Sequence, residues 1–330
     1  MSLALPTFAD VEAAARRIAP YAVRTPLIEN AALNERLGAR IFLKPEMLQR
    51  TGSFKFRGAF NRISLIPEGE RKGGVVAFSS GNHAQGVAAA AQLLGLPALI
   101  VMPGDAPKAK IAGTKSYGAE VVFYDRLKDD REAIAAKFVA ERKATLVKPF
   151  DDAAVVAGQG TIGLEVGADA KALGVPLESV LVPAGGGGVV SGIALALSEA
   201  SPSTRVISVE PENFDGMRRS LAAGERTSAP GRPLSVADAL MAPQPGAIPF
   251  GVAKGRLAPG LAVSDDDMLR AVSFAARRLK LIVEPGSAAG LAALLAGAYP
   301  VKGRTVAVVM TGGNCDIETV AQAAERFPDA

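Results

Sequence analysis

Between residues 74 and 147 the apolar positions of the chain follow a regular alternation. Short β-rich runs at 75–78, 97–102, 120–124 and 144–147 are separated by helical patterns at 84–94, 108–117 and 129–142. Strands joined through helices need crossover connections and therefore run parallel, buried on both faces. The second half repeats this rhythm, with strands at 179–182, 206–210 and 306–310 and an extended stretch at 281–283. Its helices are expected at 154–173, 189–199, 265–279 and 286–298, the last alanine-rich and buried. Upstream, Thr7 caps a helix over 7–19 that Pro20 ends, a short strand covers 40–44, and a helix covers 58–65. Residues 228–260, rich in Pro and Gly, show little periodicity. The expected fold is α/β, with two open, mostly parallel twisted sheets and helices on both faces. Residues 74–151 form a small inserted domain, and 1–73 with 152–330 a large one. In such folds ligands sit beyond the carboxyl ends of the strands.

Composition removes several classes of function. The charge of +4 comes from 37 basic and 33 acidic residues that are interspersed, with no Trp, so no nucleic-acid surface is expected. Cys315 is the only cysteine, which rules out a disulfide framework and suits a reducing cytoplasm. Asp10 and Glu12 stand where a signal peptide would be apolar, and runs such as 96–102 are too short to span a bilayer. A cytoplasmic protein without a membrane partner is expected. With His83 as the only histidine, a multi-histidine metal site is excluded, and no Gly-x-Ser-x-Gly elbow supports a serine hydrolase.

Four stretches could carry chemistry. Lys55 stands between Phe54 and Phe56, where a charged ammonium is costly and a free amine, able to attack a carbonyl, is favoured; alternatively its stem snorkels to water. Gly185, Gly186, Gly187 and Gly188 follow a strand and open a helix, so their amides can converge on a phosphate. A tight turn would need fewer glycines. The P-loop lysine is missing, and a dinucleotide fingerprint starting at Gly185 or Gly186 meets Val190 or Ser191 where its third glycine belongs. Ser79, Ser80, Gly81, Asn82 and His83 end one strand and suit either a substrate carboxylate or an N-cap cluster. Thr311-Gly312-Gly313-Asn314 closes the last strand, either as a turn or as a hydroxyl facing a heterocyclic nitrogen.

These segments occur in one order along nearly the whole chain: Gly52-Ser53-Phe54-Lys55-Phe56-Arg57-Gly58-Ala59, Ser79 to Gly86, the four glycines, Val283-Glu284-Pro285-Gly286 and Thr311 to Asn314. Together they resemble the serine/threonine dehydratase and serine racemase family of fold type II pyridoxal phosphate enzymes. The resemblance implies that Lys55 carries pyridoxal 5′-phosphate covalently and later takes the α-proton of the substrate. It places Phe54 beside the ring, the four glycines on the phosphate, Asn82 on the 3′-oxygen, Thr311 at the pyridine nitrogen and Glu284 nearby. Residues 79–83 would hold the carboxylate of a small amino acid. The implied reaction is β-elimination from L-threonine or L-serine to a 2-oxo acid and ammonia, in a homodimer.

Ser80 matches the second base of serine racemases, which keeps racemisation open. Arg131, near the expected substrate entrance, would suit a second carboxylate, as in 3-hydroxyaspartate, or be a solvated helix charge. Glu210 aligns with a Mg²⁺ or Ca²⁺ ligand of metal-activated members, but Gly216 replaces an expected aspartate. From other classes, a nicotinamide-dependent oxidoreductase or a non-catalytic amino-acid sensor would share these elements.

Overall fold

The computed structural model describes residues 3–79 and 81–330. Its strands are β1 (Ile28–Glu29), β2 (Arg40–Pro45), β3 (Val75–Phe78), β4 (Ala98–Pro103), β5 (Glu120–Tyr124), β6 (Thr145–Leu146), β7 (Ser179–Pro183), β8 (Arg205–Pro211), β9 (Leu261–Val263) and β10 (Thr305–Met310). One sheet has the order β1-β2-β10-β7-β8-β9, the other β5-β4-β3-β6. Every pairing is parallel except β1 with β2.

The period-two side-chain rule sorts alternate residues into separate cores. From β2 and β10, Ile41, Leu43, Val306, Val308 and Met310 join the helices Asp265–Phe274 and Ala289–Leu295 on one face. Phe42, Ala307 and Val309 join the helices Ala153–Ala172 and Gly188–Ala200 on the other. In the smaller sheet Val75 and Ala77 pack against Asn82–Leu94 together with Phe56 and Phe60, whereas Val76 and Phe78 face Ala135 of the helix Arg131–Arg142. Helices therefore cover both faces of both sheets. Among the described residues no helix is long and apolar enough to cross a membrane.

The helix Lys55–Ser64 lies where the two sheets meet, and it begins at Lys55, three residues before the expected start. Gly58 does not mark the helix end: a Cβ there would lie 2.8 Å from the Val155 carbonyl of the neighbouring helix. The glycine permits close helix packing, a tertiary demand that local punctuation rules cannot see. Thr7 does cap Phe8–Ile18, in a reciprocal capping box with Asp10. Helices at Ala31–Leu37, Gly216–Ala223 and Ala247–Ala253 were not apparent from periodicity, the last lying within the irregular 228–260 stretch. The expected helix over 265–279 is α-helical only to Phe274 and continues as a π turn, and residues 281–283 join no sheet.

Candidate active site

In the larger sheet β10 lies between β2 and β7. The segments leaving their carboxyl ends, carrying Lys55, Thr311 and the four glycines, are thereby brought to one edge. The end of β3 supplies Ser79, Gly81, Asn82 and His83 from the opposite side. These residues, together with Phe54 and Glu284, line a single cleft. Ser80 lies outside the described residues.

Lys55 is partly exposed to the cleft, and its Nζ donates to the Pro149 carbonyl at 2.8 Å. The amine stands 5.1 Å from the Phe54 ring centre, while Phe56 is buried against Phe60. Loss of water pushes the Lys55 pKa down to about 8, with the negative charge of Glu284 pulling the other way. At pH 7 roughly a tenth of such groups carry the free amine, against about one in three thousand for an ordinary lysine. The nucleophilic form is thus readily available.

The glycine turn fits an anion. Gly187 adopts φ +89°, and a Cβ would lie 2.4 Å from Met217 there and 2.3 Å from the Phe150 ring at Gly186. Only glycine lets the backbone occupy this space. The amides of Gly185, Gly186 and Gly187 donate to no carbonyl among the described residues, and no side chain caps the helix Gly188–Ala200. Free amides and a helix N-terminus form a phosphate cradle. Together with the neighbouring amine of Lys55, these groups fit a phosphorylated aldehyde.

The remaining polar residues form a network. Thr311 Oγ1 shares a hydrogen bond of 2.8 Å with Ser287, and the Thr311 carbonyl accepts from the Phe54 amide at 3.0 Å. Glu284 Oε1 accepts from Asn82 Nδ2, whose Oδ1 accepts in turn from Asn314 at 2.9 Å. Among the described residues Glu284 Oε2 has no hydrogen-bond donor; it meets Lys110 as an ion pair at 3.3 Å. Burial raises the Glu284 pKa, and the Lys110 charge counteracts this. Ser79 Oγ accepts from the Gly81 amide at 3.1 Å. His83 is buried with Nε2 2.8 Å from the Val147 carbonyl, and burial pushes its pKa down to about 3. It is therefore neutral, with the proton on Nε2 and with Nδ1 without a partner among the described residues.

Glu210 is outside this cleft. Both of its oxygens accept amides, from Met217 and Arg218 at 2.8 Å, so it caps the helix Gly216–Ala223. Burial still pushes its carboxyl up to about 8. Asp215 is occupied by Arg218 and Arg219, and among the described residues no group of three His, Cys, Asp or Glu could hold a metal. Among the described residues Glu210 serves as a helix cap.

A family model described as pyridoxal-phosphate dependent enzyme matches residues 18–312. The chain belongs to the fold type II pyridoxal-phosphate-dependent serine/threonine dehydratase and racemase family. It is 44% identical to an L-threo-3-hydroxyaspartate ammonia-lyase of Pseudomonas sp, over 96% of this chain and 98% of that one. It is 40% identical to a serine racemase of Schizosaccharomyces pombe, over 97% and 98%. The crystal structure of a serine racemase from maize superposes with a TM-score of 0.90 at 33% identity, covering 99% of each chain. As a member of this family the chain is an enzyme of the lyase kind, and its cofactor is pyridoxal 5′-phosphate.

Several residues of the cleft were not singled out by sequence reasoning. Pro149 offers only its carbonyl, Phe150 reaches the cleft from an irregular segment, and Asp238 from the short 3-10 turn Asp238–Leu240. Arg131 lines the entrance with its guanidinium 5.2 Å from the Phe78 ring centre, and Arg126 beside it is paired with Asp105. Lys110, on a helix that reads as charged surface, is buried. Apart from Arg131, which the resemblance had placed near the substrate entrance, none of these has a local signal, because each is selected by what folds against it.

Proposed function

We propose that the chain catalyses β-elimination of a β-hydroxy α-amino acid, L-threonine and/or L-serine, to a 2-oxo acid and ammonia. The observation that carries this reading is Lys55, an amine of lowered basicity aimed into a cleft opposite free glycine amides. Lys55 would hold the cofactor and, as a free amine, would take the α-proton of the substrate as general base. The amides of Gly185, Gly186, Gly187 and Gly188 hold the phosphate. Thr311, a neutral hydroxyl, faces the pyridine nitrogen without protonating it, and Asn82 faces the 3′-oxygen. Phe54 packs beside the ring. Ser79, Ser80, Gly81, Asn82 and His83 hold the substrate carboxylate. When bound, pyridoxal phosphate supplies a sink for the electron pair left at the α-carbon. Loss of the β-hydroxyl as water leaves an unsaturated amine, which hydrolyses to the oxo acid and ammonia.

A second reading is favoured by Arg131. This exposed guanidinium at the cleft entrance suits the side-chain carboxylate of 3-hydroxyaspartate. Racemisation rests on Ser80 as a base on the opposite face. One panel separates these readings: L-threonine, L-serine and L-threo-3-hydroxyaspartate, scored for oxo acid and for product chirality. Oxo acid from the first two supports the main reading. Turnover of hydroxyaspartate alone, reduced about tenfold in Arg131→Gln, would move the assignment to the second. D-serine without pyruvate would overturn elimination.

A further inference from the structure

The helix Lys108–Ser116 packs beside the smaller sheet, yet its Lys110 reaches across the cleft. The Lys110 Nζ lies 2.9 Å from Asp238 and 3.3 Å from Glu284, both on segments that follow β8 in the chain. The route of its stem is specific. A Cβ at Gly81 would lie 2.2 Å from Lys110 Cδ, so the lysine stem crosses directly over the loop between β3 and the helix Asn82–Leu94. Asn82, the next residue, donates to the other oxygen of Glu284. The loop is thus held between the stem above Gly81 and the carboxylate below Asn82.

We propose that Lys110 is a positioning residue that clamps the loop carrying Gly81 and Asn82 to the far wall of the cleft through Asp238 and Glu284. The inference rests on the reading above only where that loop is said to bind the substrate carboxylate. Burial disfavours the ammonium, but the two carboxylates outweigh it and hold Lys110 above the ordinary lysine pKa. A lysine held charged accepts no proton, so it does not compete with Lys55 as base. Without it, the buried Glu284 and the part-exposed Asp238 are left with no cation between them. The wall carrying Asp238 and the loop would then separate.

The test uses the holoenzyme and amide hydrogen exchange read by mass spectrometry. Lys110→Met keeps most of the apolar stem and removes the charge. Peptides covering Gly81 and Asn82, and those covering Asp238, are expected to exchange about tenfold faster, with β10 unchanged. Lys110→Arg should restore exchange to within about threefold. Where Lys110→Met fails to fold, Asp238→Asn gives the same pattern at smaller size. KM for the amino acid should rise about tenfold with kcat within about threefold, since the loop binds ground and transition states alike. Unchanged exchange at both segments in a folded variant overturns the proposal, as does uniform acceleration throughout the chain. Exchange needs no substrate, so an enzyme inert toward every hydroxy amino acid would sink the catalytic reading and leave the clamp standing.

Discussion

Lys55 and Arg57 stand two residues apart on one helix, and their surroundings make them opposites. Lys55 finds a carbonyl as its hydrogen-bond partner, and its positive charge is disfavoured. Arg57 is fully buried between two carboxylates: Nε and Nη2 donate to Glu46 at 2.8 Å, and Nη1 and Nη2 donate to Glu165 at 2.7 and 2.9 Å. Lys44 joins the same cluster through Glu165 at 2.7 Å. The paired guanidinium stays charged, against the cost of its burial. It ties the lysine's helix to the turn Glu46–Leu48 that follows β2 and to the helix Ala153–Ala172. Burial alone therefore does not make a nucleophile. Burial without an adjacent counter-charge does, and the paired cluster next door keeps that amine in place.

The strongest test removes the amine. Lys55→Ala should lower oxo-acid release by about a thousandfold or more while leaving the melting temperature nearly unchanged. If turnover persisted, Lys55 would not be the reactive member of the pair. Arg57→Met should act in the reverse sense: it strands buried Glu46, leaves Glu165 to Lys44 alone, and costs about 3–5 kcal/mol by chemical denaturation. A variant as stable as the parent would show that the cluster is not structural.

Smaller effects sharpen the contrast. Gly187→Ala forces a side chain into a left-handed conformation and toward Met217, which should cost about 1–3 kcal/mol and weaken retention of pyridoxal phosphate. Unaltered retention would argue against the glycine cradle. The last test is of pH. Below about 8 Lys55 is mostly ammonium and above it mostly amine, so pyridoxal phosphate should join the cofactor-free protein faster as pH rises. The gain should be about tenfold per unit at acidic pH, levelling near 8, measured by absorbance. A plateau only above about pH 10 would mean that Lys55 is an ordinary exposed lysine.

How much of this was legible varied with the range of the interaction. The strand run at 75–78 coincides with β3, because a parallel strand buried on both faces must be apolar throughout, and the run at 120–124 coincides with the edge strand β5, which is only partly buried but rich in β-branched and aromatic residues. The glycines at 185–188 and the polar run ending β3 were legible as candidate sites, since their chemistry lies in consecutive residues. Lys110 was not legible, because its helix looks amphipathic and solvated until Asp238 and Glu284 fold against it. The capping role of Glu210 was hidden for the same reason: the sequence shows a carboxylate at a strand end, and only the chain's return presents Met217 and Arg218 amides to it.

The order of residues by itself determined the alternation of strands and helices, the glycine turn and the family, because each is written in neighbouring positions. Only the tertiary structure decided which buried charges are paired. An ion pair depends on distance and on exclusion of water, and those are set by segments remote from one another in the chain, as Arg57 and Glu165 are at a separation of 108 residues.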